Sequence, residues 1–193
     1  ILVSTRSNGK MQSIYPILDQ FNHTMVVATV DGNSILLDAG NPFRPIGYPR
    51  INALNYQGWI VDATQPQWIT LQAPRASEKV LAQFELDNAG TLKGTLMKSE
   101  EGYNAVSGRL AFSDSNEGKH IKESLTEVHP DINVQQVNFE NAEDLSTSFK
   151  TTVACEIPNL AQAMDDFIYL SPSEVYGGFD ENPFKLEKRS YPV

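Results

Sequence analysis

Asn22-His23-Thr24-Met25-Val26-Val27-Ala28-Thr29-Val30-Asp31-Gly32-Asn33-Ser34-Ile35-Leu36-Leu37-Asp38-Ala39-Gly40 decides how the chain around it folds. Two apolar runs, residues 24–30 and 34–38, flank Asp31-Gly32. That dipeptide favours the two-residue hairpin turn whose twist matches a pair of antiparallel strands. With Asp31 and Gly32 as the loop, Val30 faces Asn33, His23 falls opposite Gly40 and Asp38 falls opposite Met25. His23 and Asp38 then lie on one face as diagonal neighbours, close enough for their side chains to meet. A four-residue loop keeps that parity, and a three-residue loop reverses it. Both faces are otherwise apolar: Met25, Val27 and Leu36 on one, Val26, Ala28, Val30, Ile35 and Leu37 on the other. Asp38 is therefore expected to be buried, and a buried carboxylate has to be paired. The nearest partner in the pattern is His23.

Working outward, residues 1–5 form a short β-branched run that feeds the hairpin, and residues 6–9 make a turn. Residues 11–21, with Pro16 early, suit an ordered loop or one helical turn. After Gly40 come Pro42, Pro45 and Pro49, which exclude helix and mark a packed loop. Residues 51–56, 58–61 and 68–71 read as short strands or turns that finish this part, and Gln72-Ala73-Pro74 marks a boundary.

A different pattern follows. Val80, Ala82, Phe84 and Leu86 alternate with polar positions, Asp87-Asn88-Ala89-Gly90 turns, and Leu92, Gly94 and Leu96 alternate on the return. That is an antiparallel hairpin. Tyr103, Val106 and Leu110 fit a helical stripe weakened by Gly108. Ile121, Leu125 and Val128 make a second short amphipathic helix, stopped by Pro130. Residues 132–139, 148–157 and 167–170 read as strands, and residues 177–193 as an irregular tail. The expected class is α+β in two parts: residues 1–72, and a β-rich domain with two short helices over residues 73–193.

Composition narrows the function. The 193 residues are 40% hydrophobic and 20% charged, which suits a globular chain. A formal net charge of −9, with Lys and Arg scattered singly apart from Lys188-Arg189, argues against nucleic acid, whose phosphates need a concentrated cationic surface. No apolar run approaches the roughly 18 residues that span a bilayer. The single cysteine, Cys155, excludes an intramolecular disulfide.

The His23 and Asp38 stretch resembles the His–Asp half of a transglutaminase-like catalytic core. The likeness is carried by His23 before a β-run, the Asp31-Gly32 turn, and Leu36-Leu37-Asp38. Its flanks extend it: residues 2–9, Tyr15-Pro16, Gln20-Phe21-Asn22-His23 and Leu37-Asp38-Ala39 resemble a branch of large, exported bacterial proteins. It covers residues 1–59 well, and the remainder more weakly. The resemblance implies the antiparallel-sheet half of a papain-like fold, a Cys–His–Asp triad with His23 as base and Asp38 as its orienter, a peptide or protein substrate, and a periplasmic location. It departs from the pattern at Met25 and Val27, where many members carry an aromatic and an acid. It also departs at the nucleophile, which precedes the histidine in the family, whereas no cysteine precedes His23 here. Ile1 is no initiator, and Ile1-Leu2-Val3 reads as a strand already under way. The expectation is thus a fragment beginning after the nucleophile helix, inactive alone, whose partner is the upstream nucleophile-bearing segment of the same protein. A final Tyr191-Pro192-Val193 that reads like mid-strand suggests that the C-terminus too is cut short. The competing reading is a non-catalytic binding or scaffold module.

Other reactive side chains have plainer explanations. Cys155 lies mid-strand with no histidine near it and reads as a small core residue. His120 and His129 have no Cys or acid at ligand spacing, so no metal is expected. Asp180-Glu181-Asn182 lacks the spaced ligands of a calcium loop. Asp165-Asp166 and Glu100-Glu101 would point opposite ways on a strand. Tyr48, Tyr56, Trp59 and Trp68 read as core, with a wall of a substrate cleft as the alternative. No phosphate-binding loop, dinucleotide fingerprint or serine elbow occurs, and no cofactor is expected.

Overall fold

The computed structural model describes residues 1–12, 14, 17–115, 118–164 and 167–176. Tyr15-Pro16, Asp165-Asp166, Asp180-Glu181-Asn182 and the rest of the tail from Gly177 lie outside them. The chain divides into two compact units, the first built on Ile1–Arg75 and the second beginning at Ala76. Antiparallel sheets together with helices make the class α+β.

In the first unit the strands are β1 (Leu2–Val3), β2 (His23–Thr24), β3 (Val26–Val30), β4 (Asn33–Leu37), β5 (Gln57–Ile60) and β6 (Gln67–Thr70). A four-stranded sheet runs β2-β1-β5-β6, and β3-β4 is a separate two-stranded hairpin. The hairpin has the expected register, Val30 opposite Asn33 out to Val26 opposite Leu37. Asp31 and Gly32 both take positive φ, 50° and 79°, as a mirror-image turn requires. The ladder stops there, however. Met25, 5% exposed, breaks the strand, exchanging backbone hydrogen bonds with Ile1 in both directions. His23 therefore pairs with Val3 and not with Gly40, and Asp38 lies past the end of β4. The extended pairing inferred from the pattern is corrected by this change of sheet. The break buries Met25 and pairs its backbone with Ile1 in place of further hairpin rungs.

Polar side chains lock the β1–β2 corner. Asn22 receives the Thr5 backbone N–H at 2.8 Å and donates to Thr5 Oγ1 at 2.8 Å. Asn55, 1% exposed, donates through Nδ2 to the carbonyls of Ser4 and Gly9. Three of these bonds pair a backbone N–H or carbonyl that burial would otherwise leave unpaired, and the Asn22–Thr5 Oγ1 bond holds the two side chains together.

The second unit contains β7 (Ser77–Leu86), β8 (Leu92–Glu101), α1 (Tyr103–Asp114), α2 (Lys119–Val128), β9 (Asn133–Glu140), β10 (Phe149–Ile157), β11 (Gln162–Met164) and β12 (Phe167–Tyr169). The main sheet runs β7-β8-β10-β9, all antiparallel. On β10, Phe149, Thr151, Val153, Cys155 and Ile157 are buried while the residues between them are half-buried. Leu92, Leu96, Val153, Cys155 and Ile157 share a core with Leu125 of α2. On α1 the buried positions are Ala105, Val106 and Arg109. Leu110, placed on the buried stripe by its spacing, is 41% exposed. The β11–β12 pair shows no clear alternation in the sequence; only its second strand was anticipated.

Candidate functional site

His23 is positioned by its rung with Val3 and by the side-chain bonds of Asn22 next to it. Asp38 is positioned by the end of the hairpin and by a loop that doubles back over it. A strand of the four-stranded sheet and the residue just past the end of the hairpin thus deliver the pair: His23 Nε2 stands 3.6 Å from Asp38 Oδ2, with the histidine side chain 16% and the aspartate 6% exposed. That separation is an ion-pair distance and exceeds a hydrogen bond. Nε2 itself is buried without a hydrogen-bond partner. The exposure of the side chain therefore lies on its other atoms.

The direct partners of Asp38 are two arginines, not the histidine that the pattern singles out. Arg44 Nη1 donates to Oδ2 at 2.9 Å, and its side chain is only 7% exposed. Arg50 gives its backbone N–H to Oδ2 at 2.8 Å and its Nε at 3.4 Å, with a side chain 45% exposed. Burial pushes the Asp38 carboxyl up, but the bond from Arg44, the Arg50 backbone N–H and the two guanidinium charges outweigh it. The carboxyl is lowered from 3.8 to about 2. Asp38 is thus a fixed anion at neutral pH. Both arginines lie in or beside the loop that carries Pro42, Pro45 and Pro49.

The remaining candidates stand apart from this pair. Cys155 is 2% exposed, and burial raises its thiol above the ordinary range, the opposite of an activated nucleophile. His120 Nδ1 is bonded to Ser115 Oγ, and the ring stacks near Phe139. His129 Nε2 lies 3.3 Å from the Val175 carbonyl. Among the described residues no group of His, Cys, Asp and Glu is placed to hold a metal ion. Glu100 is buried beside Lys98 Nζ at 3.0 Å, whereas Glu101 is exposed and accepts from Ser77 Oγ, so the adjacent acids do diverge. Trp59 and Trp68 meet edge to face at 5.0 Å with Phe21 beside Trp68. They project from the sheet face opposite to His23, because Val3, opposite His23, is paired with Gly58 and not with Trp59. Lys10 lies over the Tyr56 ring.

Fold and site together define an α+β chain whose first unit carries a histidine and a doubly held aspartate in contact. No family model matches it, and no curated protein or solved structure matches it. No helix among the described residues is long and apolar enough to cross a membrane.

Proposed function

We propose that His23 and Asp38 are the base and orienting carboxylate of a transglutaminase-like Cys–His–Asp site in a papain-like fold, with the thiol supplied by a part of the protein outside these 193 residues. The observation that supports it is a strand-borne imidazole whose buried Nε2 faces an ionised carboxylate at 3.6 Å. In that reading Asp38 holds the Nε2–H tautomer, and Nδ1 takes the proton of the thiol. The thiolate attacks the amide carbon of a peptide or protein substrate, and the imidazolium returns its proton to the leaving amine. Water or a second amine then releases the acyl group, hydrolysis being the favoured outcome. Approach of Nε2 from 3.6 Å to hydrogen-bonding distance accompanies charging of the ring, as uncomplexed catalytic groups are often loosely spaced. The chain alone hydrolyses no peptide, since its single thiol is the buried Cys155. Export to the periplasm belongs to the same proposal.

A second reading, a non-catalytic binding or scaffold module, is favoured by one observation: the hydrogen bonds of Asp38 go to Arg44 and Arg50. The experiment that separates the two is hydrolysis of a casein substrate by the intact protein. His23→Asn is expected to lower the rate at least ~100-fold, and iodoacetamide to abolish it, with Cys155→Ala active. Activity indifferent to His23 removes the catalytic reading, and activity lost on alkylating Cys155 shows a different nucleophile.

A further inference from the structure

β7 forms one edge of the main sheet of the second unit, with only β8 beside it among the described residues. Sheets blunt such an edge by keeping it short, or with a proline or a bulge, because its open backbone groups template pairing with another chain. β7 has none of these devices. It is 10 residues long, and its rungs with β8 run without a shift from Ser77 opposite Glu101 to Leu86 opposite Leu92. The strand is also uncovered. Leu81 on the outer face is 62% exposed. Val80, Ala82 and Leu86, on the face that Leu92 and Leu96 turn to the core, are exposed as well.

The charges on β7 say which strand fits it. Two identical strands that pair antiparallel are related by a two-fold axis normal to the sheet, which keeps each face on its own side. Opposed residues share a face, so the axis passes through a residue and not between two. Centred on Ala82, the pairing sets Lys79 opposite Glu85 of the second copy, and Glu85 opposite its Lys79. Val80 then meets Phe84, and Leu81 meets Gln83. Glu78, held by Lys98 and Tyr176, meets Leu86. Centred on Leu81, Lys79 faces Gln83 and Glu85 faces Ser77, and no charge is paired. Centred on Gln83, Lys79 faces Asp87, which lies past the strand and whose Oδ1 already accepts the N–H groups of Ala89 and Thr91. Only the Ala82 register pairs opposite charges along the strand. The edges of β4, β6 and β9 have no such match to themselves, since β4 and β6 contain no charged residue and β9 only Glu140.

We infer that β7 pairs antiparallel with β7 of a second copy of this chain, centred on Ala82, joining two four-stranded sheets into one continuous sheet across a two-fold axis. Backbone hydrogen bonds and the apolar rungs hold the copies together. The two Lys79–Glu85 pairs are exposed and individually weak, and they set the register. The inference is independent of the reading of His23 and Asp38, which belong to the first unit.

The test is sedimentation equilibrium of the 193-residue chain and its charge-reversed variants. The natural chain is expected to dimerise at concentrations up to about 1 mM. Lys79→Glu and Glu85→Lys each set like charges against each other at both ends of the pairing, and each is expected to weaken the dimer at least ~10-fold. Mixed in equal amounts, the two variants again oppose a cation to an anion at both ends, so the mixture is expected to recover the natural affinity. A defect in folding cannot be repaired that way. In a Cys155→Ala chain, Ala82→Cys is expected to give a disulfide-linked dimer on mild oxidation, because position 82 faces itself. Val80→Cys in the same background, on the same face but opposite residue 84, is expected to stay unlinked. A natural chain that remains monomeric at about 1 mM overturns the inference. So does a dimer indifferent to both reversals, a mixture no tighter than either variant alone, or linkage at position 80 in preference to 82.

Discussion

Arg44 Nη1 donates a 2.9 Å hydrogen bond to Asp38 Oδ2, the same oxygen that faces His23 Nε2 at 3.6 Å. One carboxylate oxygen thus serves a buried cation and an imidazole at once. Removing the cation tests which of them secures the aspartate. Arg44→Met leaves a buried carboxylate with the half-exposed Arg50 and the His23 imidazole beside it. The first unit is expected to lose about 3 kcal/mol at pH 7, with the Asp38 carboxyl rising from about 2 toward or above its ordinary 3.8. Both tryptophans of the chain, Trp59 and Trp68, lie in that unit, so fluorescence during urea unfolding reads it selectively. A carboxyl that stays near its present value by carbon-13 NMR would assign the anion's stabilisation to Arg50.

The pH dependence has a fixed sign. The Asp38 carboxyl is lower in the folded chain than in the unfolded one, so its ionised form favours folding. That contribution is complete above about pH 4 and is lost as pH falls toward 2. A shift from 3.8 to about 2 corresponds to about 2 kcal/mol. The stability gap between the natural chain and Asp38→Asn should therefore shrink by about that amount between pH 5 and pH 2. A gap that is constant across this range would show that the carboxyl titrates normally.

Gly40 is the third part of the arrangement. A Cβ there would stand 3.0 Å from Arg44 Nη2 and 3.2 Å from Arg50 Nη2. Both atoms end flexible side chains and are able to withdraw, so Gly40→Ala is expected to cost only about 1 kcal/mol. The cost arises through loosened contacts to Asp38. A double-mutant cycle with Arg44→Met should accordingly be non-additive, the second substitution adding little. Full additivity would place the penalty in the backbone at residue 40 instead.

What the sequence made legible follows the range of the interactions. The Asp31-Gly32 turn and the register of its strands are local, and alternation fixed them. Contact between His23 and Asp38 was also anticipated, although the route differs: the chain leaves the hairpin at Met25 and delivers His23 from another sheet. Arg44 and Arg50 were missed because a loop's return path depends on tertiary packing, which no period encodes. Arg109 was missed for a related reason. A helical stripe is recognised by apolar side chains, and this helix instead buries a guanidinium under the loop after β9.

That buried guanidinium carries its own expectation. Arg109, 1% exposed, donates to the carbonyls of Asn141, Asp144 and Thr147 at 3.2, 2.6 and 2.8 Å. Burial lowers its pKa, with Asp144 and Glu100 partly opposing that shift. Three carbonyls of one turn thus share one cation. Arg109→Met is expected to destabilise the second unit by about 3 kcal/mol and to speed hydrogen exchange first in residues 141–148. The tryptophan transition of the first unit serves as the internal control. Exchange that accelerates evenly over the second unit would mean the side chain acts as general packing.

Gly108, next to Arg109 in α1, sets helix propensity against space. Alanine is intrinsically the better helix former by about 1 kcal/mol, and on the sequence alone Gly108→Ala would stabilise α1. A Cβ built there stands 2.6 Å from Glu100 Oε2 and 2.8 Å from Phe149 Cδ1. Phe149 is 1% exposed and pinned in the sheet, and Glu100 is held by Lys98 at 3.0 Å. Neither can retreat without vacating a paired or packed position, and overpacking of this kind costs about 1–3 kcal/mol. The substitution is therefore expected to destabilise the second unit by about 1 kcal/mol net. Circular dichroism during urea unfolding measures it, and a gain in stability would mean that α1 lies farther from β8 and β10 than these contacts place it.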